Sequence, residues 1–161
     1  MTSLERIWKT RIGIWNLRTL IECGKLKQVE KEMTNYKFHI TGLSDVRWQE
    51  NGEIKSQNGN ALIFSGVGKD TERRNGMGIL MNKEARRSIM EWSPISERII
   101  LGSFKTKIRI LTIIQCYAPK EMTGKDVKKI LPSTASNNNR KSIKGCNNSD
   151  GRYECQNWIK H

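Results

Sequence analysis

The stretch from Lys107 to Cys116 constrains the fold more than any other. Ile108 and Ile110 alternate with charged residues, the pattern of a strand with one wet face. Leu111, Ile113 and Ile114 then make both faces apolar. A strand of that kind needs cover on both sides, which places it inside a layered α/β domain. Other segments supply the layers. Arg11-Ile-Gly-Ile-Trp15 reads as a strand ending at the turn-prone Asn16, and Phe38–Leu43 reads as a second, followed by the polar stretch Ser44–Gly52. Ala61–Ser65 and Met77–Met81 are shorter candidates. Between the first two strands, Leu26, Val29 and Met33 recur at i, i+3 and i+7, so Lys25–Tyr36 reads as a helix with one apolar stripe. Lys83–Ser88 is a candidate helical turn, and Pro94 marks a loop. Arg98–Phe104 and Lys107–Cys116 read as a hairpin turning at Lys105-Thr106. Few helices and many strands fit sheets packed on each other with helices outside.

At 161 residues the chain suits one domain. Its formal charge of +13 attracts polyanions, which puts nucleic acid first among partners and an anionic membrane surface behind it. That surface does not depend on the end of the chain, since residues 1–129 hold 24 Lys and Arg against 14 Asp and Glu. A basic surface also serves solubility alone, so charge by itself does not choose. No stretch approaches the roughly 20 apolar residues of a membrane span. Glu5, Arg6 and Lys9 interrupt any apolar signal region in Met1–Thr10, so the expectation is an intracellular protein, nuclear or cytoplasmic, that is not secreted. The four cysteines show no close pairing, and with only His39 and His161 beside them a structural zinc site is not expected.

The character changes after Lys129. Residues 130–161 hold few large apolar side chains, with Asn137, Asn138, Asn139, Asn147 and Asn148 crowded among Ser, Lys and Gly. Such a segment buries too little surface to offset its chain entropy, and disorder is expected. The expected organisation is an N-terminal extension over 1–10, a domain over 11–129 and a tail over 130–161.

Four short motifs stand in order along the domain: Ile14-Trp15-Asn16, then Gly42-Leu43-Ser44-Asp45-Val46-Arg47-Trp48, then Gly76-Met77-Gly78-Ile79, then Cys116-Tyr117-Ala118-Pro119. Each is weak alone, but their order and spacing over about 120 residues are specific. The arrangement resembles the first half of the endonuclease/exonuclease/phosphatase superfamily. Within that superfamily it is most similar to the endonuclease domains of non-LTR retrotransposons and to proteins named for craniofacial development. The resemblance implies a partial four-layered α/β sandwich, DNase I-like, with catalytic side chains on loops at one edge. It also implies phosphodiester hydrolysis of nucleic acid, DNA first, assisted by a hard divalent cation, Mg2+.

By that resemblance Asn16 holds the place of the family's strand-end asparagine beside the metal, although any strand can close on an asparagine. Asp45 stands where the family has a metal-binding glutamate. This departure removes one methylene, and magnesium tolerates little error around oxygen distances of about 2.0–2.1 Å. Weakened binding is the expectation, and a plain surface aspartate is the alternative. Arg47 suits a phosphate, an ion pair or solvent. Tyr117 matches a family tyrosine that contacts the phosphate or positions a catalytic group, and as a strand end it also suits the core. Arg98 resembles a structural strand-start arginine, and His39 has no partner signal.

The rest of the family's site, a Gly-Asp-x-Asn motif, a further Asp-bearing segment and a terminal Asp-His pair, has no counterpart here. Ser149-Asp150 is followed by Gly151, and no aspartate precedes His161. A shifted reading frame from about residue 130 is the expected cause, which the nucleotide sequence decides. Read one nucleotide later, permitted codons for Asp150–Trp158 include Met-Gly-Asp-Met-Asn-Ala-Lys-Ile, and those for Ile130–Ala135 include Phe-Tyr-His-Gln-Leu. The expectation is a truncated endonuclease domain, inactive alone. The alternatives are a non-enzymatic basic nucleic-acid-binding fragment and a decayed gene product.

Overall fold

Alternation along the strands sets the architecture. The computed structural model describes residues 10–66, 68–69, 75–117 and the backbone of 140–147. Among the described residues the elements follow in the order β1 (Ile12–Asn16), α1 (Lys25–Asn35), β2 (Ile40–Ser44), β3 (Asn51–Lys55), β4 (Ala61–Ser65), β5 (Met77–Met81), α2 (Lys83–Arg86), β6 (Ile89–Ser96), β7 (Ile99–Lys105), β8 (Ile110–Tyr117) and β9 (Arg140–Asn147). They form a five-stranded sheet of order β1-β2-β5-β4-β3 and a four-stranded sheet of order β6-β7-β8-β9. β1 runs parallel to β2 and β9 parallel to β8, while the other pairs are antiparallel.

The register sorts side chains into rows. Ile12, Ile40, Met81 and Ala61 stand opposite one another across the first sheet, as do Ile14, Gly42, Ile79 and Ile63, then Asn16, Ser44, Met77 and Ser65. These rows face the second sheet, where Ile100, Phe104, Leu111 and Ile113 join the same buried cluster. The layer between the sheets is therefore apolar at one end and becomes polar at the row of Asn16. That gradient decides which edge can hold chemistry.

The other face of the first sheet carries α1. Leu26, Val29 and Met33 pack with Leu43, Leu62 and Leu80, as the stripe implies. Glu30 is also buried there, and its Oε1 accepts a 2.9 Å hydrogen bond from Asn60 Nδ2. A buried carboxylate needs such a partner. α2 is capped by Asn82, whose Oδ1 accepts from Ala85 N at 2.8 Å.

The fully buried strands match the sequence reading, and the differences lie at the edges. β3 was hidden in a polar stretch, because four of its five residues are exposed and its pairing with β4 is what holds it. Pro94 lies inside β6 rather than in a loop. β6 pairs only with β7, and its register shifts between Pro94 and Ser96, a place where a residue without an N–H is tolerated. The hairpin turns over Thr106–Arg109, with Thr106 N–H donating to Arg109 O, so Ile108 is 81% exposed instead of alternating in a strand. Within the segment expected to be disordered, Arg140–Asn147 pairs along β8, since a parallel ladder uses backbone groups that any sequence supplies. Residues 130–139 and 148–161 of that segment, and Met1–Lys9 of the N-terminal extension, lie outside the described residues. Among the described residues no helix is long and apolar enough to cross a membrane.

Candidate active site

Two parallel strands end side by side at the polar edge. Asn16 closes β1 opposite Ser44, which closes β2, and Leu17 N–H continues the pairing by donating to Ser44 O at 3.2 Å. Asn16 is half-buried, and its Oδ1 accepts from Arg18 N at 3.1 Å, which fixes the amide at the start of the following loop. Asp45 comes directly after Ser44 and is also half-buried. Its φ of 58° lies in the left-handed region, which aspartate enters more readily than most residues. Burial raises the Asp45 carboxyl above its ordinary pKa, and the charge of Arg47 partly opposes the shift. The ionised carboxylate thus lacks full compensation within the chain.

The two loops that follow are fastened to each other. Leu20 N–H donates to Val46 O at 3.1 Å, and Trp48 Nε1 donates to Leu20 O at 3.2 Å. The Trp48 ring meets Phe64 edge-on at 5.0 Å, so one face of this pair of loops rests on the α1 side of the core. Sequence reasoning treated Trp48 only as part of a motif; the structure makes it the clasp.

The second sheet reaches the same edge through a relay of backbone hydrogen bonds. Val46 N–H donates to Gly76 O at 3.1 Å, Gly76 N–H to Glu97 O at 3.0 Å, and Tyr117 N–H to Arg98 O at 2.9 Å. Gly76 has φ 115°, and a Cβ there would stand 3.0 Å from Arg47 N, so both conformation and space call for glycine. Arg47 N–H donates to Asn75 O at 2.9 Å, and Asn75 Nδ2 donates to Glu97 Oε1 at 3.3 Å. Ser65 Oγ donates to Ser96 O and ties the sheets together again. Asn16, Asp45, Arg47 and Tyr117 therefore stand at one edge, the first three on adjacent strand ends and the last brought from the other sheet. Arg98 serves the turn through its carbonyl.

Gln115 was missed. It lies on the inter-sheet face of β8, 1% exposed, against Gly42 of β2, and its Nε2 has no hydrogen-bond partner. A glutamine inside the apolar run Ile113–Cys116 was the available signal. His39 belongs to the opposite end of β2. Its Nδ1 accepts from Arg11 N at 2.9 Å and its Nε2 stands 3.6 Å from Glu84 Oε2.

Among the described residues no three His, Cys, Asp or Glu side chains gather as a metal cage. The edge instead offers one under-compensated carboxylate beside a strand-end amide. Oxygen donors of this kind suit a hard cation that takes most of its remaining ligands from water and phosphate.

No family model matches the chain. Over 108 residues it is 36% identical to craniofacial development protein 2 of Bos taurus, a match covering 67% of this chain and 18% of that protein. The chain thus spans less than a fifth of this relative's length. Its fold is similar to the endonuclease domain of TRAS1, a telomere-specific non-LTR retrotransposon, at TM-score 0.59 and 12% identity, covering 85% of this chain and 59% of that one. It is also similar to a humanized D. rerio TDP2, at TM-score 0.53 and 11% identity, covering 83% and 59%. From the order of its strands to the pairing of its sheets, the chain therefore has the DNase I-like fold of these solved structures, with a sequence similar to craniofacial development protein 2.

Proposed function

We propose that this chain is the substrate- and metal-facing half of a phosphodiesterase domain of retrotransposon endonuclease type, and that alone it does not cleave nucleic acid. One observation carries the reading. The layer between the sheets turns polar at a single edge, and the residues gathered there are Asn16, Asp45, Arg47 and Tyr117.

Asp45 and Asn16 would hold a divalent cation, Mg2+ by preference, through a carboxylate and an amide oxygen. When bound, the cation supplies charge neutralisation on a phosphate. Arg47 would bind a phosphate of the strand, and Tyr117 would orient one from the side of the second sheet. DNA is the expected substrate class, given the charge of +13 and the endonuclease neighbours. The shorter Asp45 in place of glutamate weakens the metal site without removing it. Hydrolysis also requires a group that activates water, which the family places in its Gly-Asp-x-Asn and Asp-His motifs. Neither occurs in this sequence. Groups acting as one catalytic unit lose most of their effect when any is absent, hence the expected lack of activity.

The absence of a three-carboxylate cluster among the described residues, set beside the net charge, favours a second reading. In it the chain binds nucleic acid without chemistry. Titration of Mn2+, as a paramagnetic stand-in for Mg2+, separates the two. One weak site that disappears in Asp45→Ala supports the metal-bearing half. No bound Mn2+, or binding untouched by Asp45→Ala, supports the second.

A further inference from the structure

The first sheet has two outer strands, and they differ in what they leave open. β1 carries no exposed residue, whereas Asn51, Glu53, Ile54 and Lys55 of β3 are all exposed. Among the described residues β3 pairs with β4 alone. Its register with β4 runs unbroken from Asn51 to Lys55, without the bulge or proline that blunts an open edge. β6, an outer strand of the second sheet, has both, in Pro94 and its register shifts.

The ladder fixes where the free backbone groups of β3 point. Ser56 N–H donates to Asn60 O at 2.9 Å, and Gly66 N–H donates to Glu50 O at 2.7 Å. Antiparallel pairing alternates, so Glu50, Gly52, Ile54 and Ser56 exchange their bonds with the β4 side. The N–H and C=O groups of Asn51, Glu53 and Lys55 therefore point away from the sheet, toward any strand that joins it.

The side chains select which strand fits. Glu53 and Lys55 share one face of β3, and neither has an ion-pair partner among the described residues. Ile54 lies between them on the other face, opposite Leu62 and still 39% exposed. When a second β3 runs antiparallel to the first about Ile54, each Glu53 stands opposite the Lys55 of the other copy. These are the residues whose backbone groups point outward, as a shared ladder requires. The same register sets Ile54 against Ile54 at a non-hydrogen-bonded position, where side chains come closest. A register centred on Glu53 instead opposes two carboxylates.

We propose that this chain forms a symmetric dimer through β3, with Ile54 at the two-fold axis and a Glu53–Lys55 pair on each side of it. The two five-stranded sheets then become one continuous sheet. Such a contact uses the same patch on both copies, so it closes at two instead of growing. Because the paired strands run antiparallel, the edges that hold Asn16 and Asp45 lie at opposite ends of the joint sheet. The formal charge of +13 on each copy opposes association at long range. Physiological salt screens charges more than about 8 Å apart, while directly opposed pairs keep most of their interaction. The proposal is independent of what the candidate site binds.

The test is sedimentation velocity of the full chain in physiological salt over a concentration series, with circular dichroism to confirm that each variant is folded. The proteins are wild type, Glu53→Lys, Lys55→Glu and the double variant carrying both. Either single substitution turns both cross-strand pairs into like-charge pairs and should weaken the dimer about tenfold or more. The double variant restores opposite charges and should dimerise like wild type. An equimolar mixture of the two singles should dimerise as well, since every pair across that interface is again opposite in charge. A wild type that stays monomeric up to roughly millimolar concentration overturns the proposal. A dimer that Lys55→Glu leaves intact also overturns it, because the interface or its register then lies elsewhere. Loss of the dimer in the double variant as well as in the singles overturns the pairing of Glu53 with Lys55.

Discussion

Gly42 on one sheet and Gln115 on the other approach so closely that a Cβ on Gly42 would lie 2.3 Å from Gln115 Oε1. Both lie one row below Asn16, Ser44 and Tyr117, so this contact sets how the two sheets meet beneath the candidate site. Gly42→Ala should destabilise the fold by about 1–3 kcal/mol, the usual cost of overpacking a core. Combining it with Gln115→Ala should recover most of the loss, because the obstructing carboxamide is gone. Denaturant melts of the two singles and the double measure this directly. Equal losses in Gly42→Ala with and without the second substitution would mean that the obstruction lies elsewhere.

Asp45 links stability to pH with a definite sign. Its folded pKa lies above the ordinary value, so the folded state holds the proton more tightly than the unfolded state. Stability from this group is present at low pH and is lost as pH rises from the ordinary aspartate range through the raised value. At pH 7 the ionised carboxylate is a cost. Asp45→Asn should therefore raise the melting temperature at pH 7 and lose that advantage in acid. Asparagine also tolerates the φ of 58°. Added Mg2+ should stabilise the wild type and not the variant, since only the wild type gains free energy by binding. A lower melting temperature for Asp45→Asn at pH 7 would show that the charge is already compensated.

Trp48 offers a way to loosen the site without opening the core. Trp48→Phe keeps a ring against Phe64 and removes the donor to Leu20 O. The expected stability cost is about 1 kcal/mol for the hydrogen bond, plus some lost packing area. DNA affinity should fall as well, because the loops that follow Asn16 and Asp45 are no longer clasped to each other. Unchanged affinity would show that the backbone bonds hold that loop alone.

The reading-frame proposal needs only the nucleotide sequence. The codons of residues 150–158, taken one nucleotide later, should encode the Gly-Asp-x-Asn segment. Codons that encode anything else there overturn the frame-shift proposal.

The parts of this fold legible in sequence are those where burial dictates residue type. Ala61–Ser65 and Met77–Met81 are buried along their whole length, and their limits match the apolar runs. The stripe of α1 was visible because one face of a helix meets one core. β3 and β6 were not, because an edge strand is held by backbone pairing and its side chains are free to be Asn, Glu or Pro. The candidate site divides in the same way. Asn16, Asp45 and Tyr117 came from motif order, and the structure supplies their shared edge. The left-handed backbones of Arg18, Asp45 and Arg47 were invisible, because nothing in these residues' identities announces one. Gln115 could have been flagged as a polar residue in an apolar strand, but Gly42 gives no hint across the chain that it makes room for it.

The most direct test of the central claim is nicking of supercoiled plasmid by the purified chain in Mg2+, beside Asn16→Ala. The expected result is no nicking by either protein, because the groups at this edge form one side of a catalytic unit. Nicking by the wild type that Asn16→Ala abolishes would contradict it, and would show that Asn16, Asp45 and Tyr117 suffice for hydrolysis.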